Sequence, residues 1–410
     1  GPKSTKSKIF QLRVPTMEEL FNNADLLQDK AQIDLEKTLK EAEKLKEDIK
    51  NLSNELKKDE KEITWEENKK IKETAKRLEN LQEQIKEAQK KIEEAKENLS
   101  ENELLSKETL QKYNELQELM DEMNSEDMKN ALQKLQEQME SMNRNEAQQN
   151  MSDMEFNEEM FKKSIERTVN LLKRIQIEQK MDEVIKRTEE LQKNIDELKN
   201  ETEKSDISNH EEKDRLAKKE NEISEQLEKL KEEMNKLQEK MSEFKEMPNE
   251  SMKDIKEKMD SQKNEELSKE MMEMLQKNMK MSAMENMEQL SNNMEQMKNQ
   301  MQQMQQQMQQ QNQMEVLFEM MKGINNLISL SKEEEALKNS MQSTNPNSDE
   351  MLRNVQKQNE IADGLDKTLK GLSELSQKTF AITPEMGQAL GNAKKEMNNA
   401  MQAMQNKNSS

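Results

Sequence analysis

The chain has 410 residues and a formal net charge of −20; 31% of its residues are apolar, 37% charged and only 2% aromatic. Globular domains draw nearly half of their residues from apolar types, so this composition cannot fill broad cores against the entropy of ordering the chain. Six glycines and five prolines are too few for a loop-rich or β-rich protein. Long amphipathic helices that each bury one stripe are what remains.

The acidity lies in the middle. Residues 1–16 carry Lys3, Lys6, Lys8 and Arg13 and no acid, while residues 343–410 hold equal numbers of acids and bases. No basic stripe is present to release counterions from phosphates, which excludes nucleic acid as a partner. The absence of cysteine excludes disulfides, thiolate metal sites and cysteine nucleophiles, and leaves the compartment open. The longest apolar run, Val316–Leu330, is interrupted by Glu319, Lys322, Asn325 and Asn326, so no membrane span is expected here. The chain opens Gly-Pro without a signal peptide and reads as a fragment, a processed form or a tagged chain.

In chain order, Phe10, Leu12 and Val14 alternate with polar residues before Pro15, which predicts one β-strand within an extended segment 1–16. It is either a free arm or, the favoured reading, the last strand of a β domain lying outside this chain. Thr16–Glu19 is a capping box that opens a helix. Leu45, Ile49, Leu52 and Leu56 set a heptad rhythm that lapses near Asp59, and a second box, Thr64–Glu67, starts another helix along Ile71, Ala75, Leu78, Leu81, Ile85, Ala88, Ile92, Ala95 and Leu99. Residues 17–99 are therefore expected to form a helical hairpin, with one continuous rod as the alternative.

Residues 100–204 form helical segments, with further boxes at Ser100–Glu103 and Ser152–Glu155. The stripe Ile165, Val169, Leu171, Leu172, Ile175, Ile177, Met181, Val184 and Ile185 is wide enough to meet two neighbours, and the densest packing is expected there. After a polar break at Ser205–His210, residues 211–247 carry a seam from Leu216 to Phe244, closed by Pro248. A Met/Gln-rich long helix is expected over 250–342, unbroken from about Ser261 to Ser340, with Gly323 its most favourable bend. Asn345-Pro346-Asn347 marks a linker at 343–348. Residues 349–410 form a partly flexible, small-residue helical tail, with helices at 349–379 and 384–405. The fold class is thus all-α: long amphipathic helices forming coiled-coil hairpins and rods, with one short N-terminal β-strand.

The most distinctive stretch is a seam of sulfur side chains, Met284, Met287, Met294, Met297, Met301, Met304 and Met308, continued by Leu317 and Met321. From Met294 the three-four spacing is that of a/d positions, so this seam is expected to contact a partner. Thioethers also suit Cu(I), but any heptad seam built from methionine has this spacing, and packing outweighs metal. A flexible methionine face could instead hold apolar client segments. His210 sits alone in a polar break, Trp65 and Tyr113 are single, and no Gly-Lys dipeptide exists for a phosphate loop. The many carboxylates read as solvated helix faces. No catalytic, cofactor-binding or metal residues are assigned, no cofactor is expected, and the chain is not expected to be an enzyme.

The junction Ser7-Lys8-Ile9-Phe10-Gln11-Leu12-Arg13-Val14-Pro15-Thr16, the Glu/Lys helices, the Met/Gln tract and the closing Asn347-Ser348-Asp349-Glu350-Met351 helix together resemble the C-terminal region of a bacterial family. That family comprises large, membrane-anchored, low-complexity envelope proteins with an immunoglobulin-like β region and no established activity. The resemblance implies that Phe10–Val14 ends a β domain, that the full-length protein is membrane-anchored, and that the chain lies in the cell envelope, on the periplasmic side of the inner membrane, with the cytoplasm as the alternative. It supplies no site residues. The expected function is a non-enzymatic, elongated scaffold or tether acting through coiled-coil contacts with a protein partner or with itself. Chaperone-like client binding is second and Cu(I) binding a distant third.

Overall fold

The computed structural model describes residues 13–56, 64–123, 144–343 and 348–408, and among these every regular element is a helix. The helices are α1 (Met17–Leu56), α2 (Trp65–Ser100), α3 (Lys107–Met123), α4 (Arg144–Lys204), α5 (His210–Ser242), α6 (Asn249–Ser261), α7 (Asn264–Gln276), α8 (Lys280–Ser343), α9 (Asp349–Ser376) and α10 (Pro384–Asn408). The expected strand falls mostly on residues outside the described ones. Arg13 and Val14, which are described, lie in no strand, and Val14 is exposed to solvent.

Both early capping boxes form. The Thr16 hydroxyl accepts from the Glu19 amide at 3.2 Å while Glu19 accepts from the Thr16 amide at 3.0 Å. Thr64 and Glu67 do the same at 3.2 and 2.7 Å. Helices α1 and α2 then run antiparallel, stitched by Asp34–Lys91, Asp48–Arg77 and Glu55–Lys70 along a register in which numbers climb on one helix as they fall on the other.

Other start signals do not hold. Ser100 is the last residue of α2, and Glu103 turns the chain with φ 54°; α3 is capped instead by Ser106, whose hydroxyl accepts from the Thr109 amide at 3.1 Å. Ser152 lies inside α4. In so Glu-rich a chain, a hydroxyl three residues before an acid recurs without marking a helix start.

The expected long helix over 250–342 is three helices, broken where Lys263 (φ 53°) and Asn278 (φ 60°) adopt left-handed backbone. After the second break α8 runs unbroken through Gly323, which serves close packing instead of a bend. A Cβ there would stand 2.9 Å from Leu372 Cδ2. The helix expected over 349–379 ends at Ser376.

Helix α4 is the axis of the molecule: α1, α3, α5 and α8 all pack on it. Every residue from Arg174 to Ile185 is buried, so this stretch of α4 is enclosed on all sides. The second half of α8 leaves this bundle and pairs antiparallel with α9 through Glu333–Lys357 at 2.8 Å and Ser340–Asn354 at 3.2 Å. Helix α10 folds back on α9, where Lys394 meets Asp366 at 2.9 Å. Arg167 of α4 donates to the Thr379 carbonyl at 3.2 Å and to the Ile382 carbonyl, which ties this C-terminal unit to the bundle.

Candidate functional site

The methionine seam divides into an occupied part and an open part. Met287, Met294, Met297, Met301, Met304 and Met308 are buried in one cluster with Ile177, Met181, Val184, Leu191, Ile195 and Leu198 of α4, and Met284 is half-buried beside them. The seam's spacing left open whether it pairs within the chain or with another; here the chain's own α4, with α6 and α7, packs against it. Leu317 and Met321 are different, being 59% and 56% exposed.

The split follows from a phase change in α8. Through Met308 one stripe faces α4. Beyond the polar stretch Gln309–Gln313 the helix carries two stripes. Val316, Met320 and Leu327 pack toward Leu372, Leu375 and Ile382. Met314, Leu317, Met321, Ile324 and Ile328, spaced three, four, three and four, face solvent together with Phe318. Six neighbouring large apolar side chains on one helix face form the largest such cluster among the described residues. Clusters of this kind mark contact sites.

No family model matches the chain, and neither curated proteins nor solved structures give a match.

A second feature is a layer of buried polar groups around α4. The Lys180 ammonium bonds Asp25 of α1 at 2.5 Å, Glu183 at 2.5 Å and Glu233 of α5 at 2.8 Å. Arg187 reaches Glu183 at 2.7 Å and Lys236 reaches Glu233 at 2.8 Å, so three cations balance three carboxylates. Burial works to lower the Lys180 ammonium, but Glu183 and Asp25 override it and hold its pKa above the ordinary 10.5. For Glu233, the lysine hydrogen bonds outweigh burial and keep its pKa below the ordinary 4.5; burial pushes Glu183 up. The three carboxylates lie close enough to hold a metal ion, with ligand atoms within 4.8 Å of one another. The Lys180 ammonium already stands among them.

Between Lys180 and Glu183 in the chain, Asp182 accepts from the Ser106 amide at 2.9 Å, the Thr109 hydroxyl at 2.7 Å and Gln305 of α8 at 2.7 Å, joining three helices, yet burial still raises its pKa. Gln28, Tyr113 and Gln179 form a buried hydrogen-bonded trio between α1, α3 and α4. These contacts join α4 to α1, α3, α5 and α8 through buried polar pairs. Sequence reasoning missed them. The available signal was the stripe at 165–185: apolar residues on so many sides mean that the polar residues between them must be buried too.

Between α3, α4, α8 and the α9–α10 connection lies a cleft of about 750 Å³. Glu108, Glu115, Glu118 and Glu122 line its α3 wall, and Val316, Leu317 and Met320 its α8 wall. Burial, reinforced by the nearby Glu385, pushes the Glu122 carboxyl up. The Arg174 guanidinium lies 4.6 Å from the Phe244 ring and pairs with Glu246. His210 and Trp65 are exposed, and no helix among the described residues is long and apolar enough to cross a membrane.

Proposed function

We propose that the chain is a non-enzymatic helical scaffold or tether of the bacterial cell envelope that holds a protein partner by helix-against-helix contact. The open apolar face of α8, Met314 to Ile328, carries this reading. That face sits on a helix of 64 residues, about 95 Å long at 1.5 Å per residue, beside an α4 of 61 residues. Lengths of this order suit spacing and tethering. The non-enzymatic part is supported by the buried ionic layer, whose charges neutralise one another instead of facing an open pocket. The envelope location rests on the resemblance at the Phe10–Thr16 junction.

The test is to replace Leu317 and Met321 with Glu in the full-length protein, in its own host, and to quantify what remains attached after gentle cross-linking. Loss of a stoichiometric envelope protein, with helicity unchanged, supports the reading; an unchanged set of attached proteins contradicts it. A holding chaperone is a second reading, favoured by the exposed, adaptable Met314 and Met321 next to Phe318. Suppression of client aggregation that the same substitutions abolish would favour it over the tether.

A further inference from the structure

We propose that the Met314–Ile328 face is the interface between two copies of this chain, which pair antiparallel about a two-fold axis at Met321. The inference rests on the scaffold reading and names the partner of that surface.

Periodicity comes first. Beyond Gln313, α8 has two heptad-spaced stripes, and α9 with α10 cover only one of them. A second stripe in the same rhythm is what a helix needs to seat another helix. Met314, Leu317, Met321, Ile324 and Ile328 lie almost symmetrically about Met321. Reversing the direction sets Met314 of one copy against Ile328 of the other, and Leu317 against Ile324. Such self-complementarity is the requirement of a two-fold interface.

Area is sufficient. The six side chains are each roughly half to three-quarters exposed. At about 100 Å² apiece they offer about 600 Å² per copy and about 1,200 Å² per pair, the lower edge of stable interfaces before any flanking contact is counted.

Charge permits it. The chain carries −20, so two copies repel over most of their surfaces, but residues 314–328 hold only Glu315, Glu319 and Lys322. Lys322 is paired with Glu319 at 3.1 Å, and Glu315 with Lys378 at 2.9 Å. The face is close to neutral, and any residual repulsion is screened by salt. A lipid surface suits it poorly, because interfacial helices place rows of Lys or Arg beside the apolar face and this one has a single lysine. Direction follows from the neighbours. The Met287–Met308 half of α8 is embedded in the acidic bundle, so a parallel pair would set two bundles side by side, whereas an antiparallel pair places them at opposite ends.

Sedimentation velocity of the full chain over a dilution series should give a dimer that dissociates on dilution and is strengthened by added salt. The double variant Leu317→Glu/Met321→Glu should weaken it by at least about a hundredfold, because four carboxylates would enter one small interface. Both positions are solvent-exposed, so far-ultraviolet circular dichroism should be unchanged. The chain has no cysteine, which allows a second reading of the geometry. Met321→Cys should oxidise to a covalent dimer, whereas Met314→Cys should not, its counterpart lying about 21 Å away along the helix. A chain that stays monomeric at every concentration would overturn the proposal. So would a dimer indifferent to the double variant, Met314→Cys cross-linking as readily as Met321→Cys, or binding to neutral or anionic vesicles that the double variant abolishes. If the chain is monomeric and an envelope protein is still lost on the same substitutions, self-pairing fails and the tether stands.

Discussion

Removing the ammonium at the centre of the ionic layer should destabilise the bundle strongly. Lys180→Met keeps most of the aliphatic stem but leaves Asp25, Glu183 and Glu233 facing one another. Breaking a buried ion pair from one side costs about 3–5 kcal/mol. Glu183 keeps Arg187, Glu233 keeps Lys236, and Asp25 keeps the Gln179 amide at 3.1 Å and is partly exposed, so the lower end applies. A loss of about 3 kcal/mol is expected, roughly a hundredfold in the folding equilibrium.

The pH dependence gives the sign. In the wild-type chain the Lys180 pKa is raised on folding, so its contribution is complete below 10.5 and is lost only as alkali deprotonates the folded form. In the variant the uncompensated carboxylates have raised pKa values; the folded state then binds protons more readily, and the defect should shrink as pH falls from neutrality toward about 5. Urea unfolding followed by far-ultraviolet circular dichroism at several pH values measures both effects. A loss under about 1 kcal/mol, or one insensitive to pH in that range, would mean that the Lys180 ammonium does not hold these carboxylates together.

Four further outcomes are expected. Met301→Gln, which buries an amide in the α4–α8 seam, should destabilise by about 2–4 kcal/mol, whereas Leu317→Gln on the open face should change stability by under about 0.5 kcal/mol; the contrast is measured in the same urea titration. Gly371→Ala should stabilise α9 by about 0.5–1 kcal/mol, since its new Cβ meets nothing within 4 Å, while Gly364→Ala should gain less because its Cβ would fall 2.7 Å from Leu330. Thr64→Ala, which dismantles the capping box of α2, should cost about 1 kcal/mol by thermal melting. Burial raises Glu178, Asp182, Glu183 and Glu220, so their share of stability should grow as pH falls from neutrality toward the ordinary 4.5, and stability should then fall below 4.5 as Glu233 and Glu246 lose their ion pairs. A steady decline from pH 8 downward, followed by chemical denaturation, would contradict the last.

The all-α class was legible because it follows from the period of apolar residues. Leu45, Ile49 and Leu52 are all buried, as their rhythm requires. What covers a stripe was not legible: the Met294–Met308 seam and the Leu317–Met321 seam have the same spacing, and only the placement of α4 distinguishes filled from open. The breaks at Lys263 and Asn278 also escaped, because a non-glycine residue in left-handed backbone leaves little trace in sequence. Polar burial escaped for a related reason. Lys180 and Glu183 look like any other Lys and Glu until four helices are arranged around them.

A seam buried inside the bundle, Met294–Met308, and a face that pairs with a second copy, Met314–Ile328, should differ in how their sulfurs react. Peptide-resolved methionine oxidation by hydrogen peroxide, at two protein concentrations, tests both halves together. Met294, Met297, Met301, Met304 and Met308 should be protected throughout, and the exposed Met281 should react quickly throughout. Met314 and Met321 should react quickly in dilute solution and become protected when concentrated. Oxidation of the internal seam as fast as Met281, or of Met314 and Met321 at a rate independent of concentration, would contradict the account.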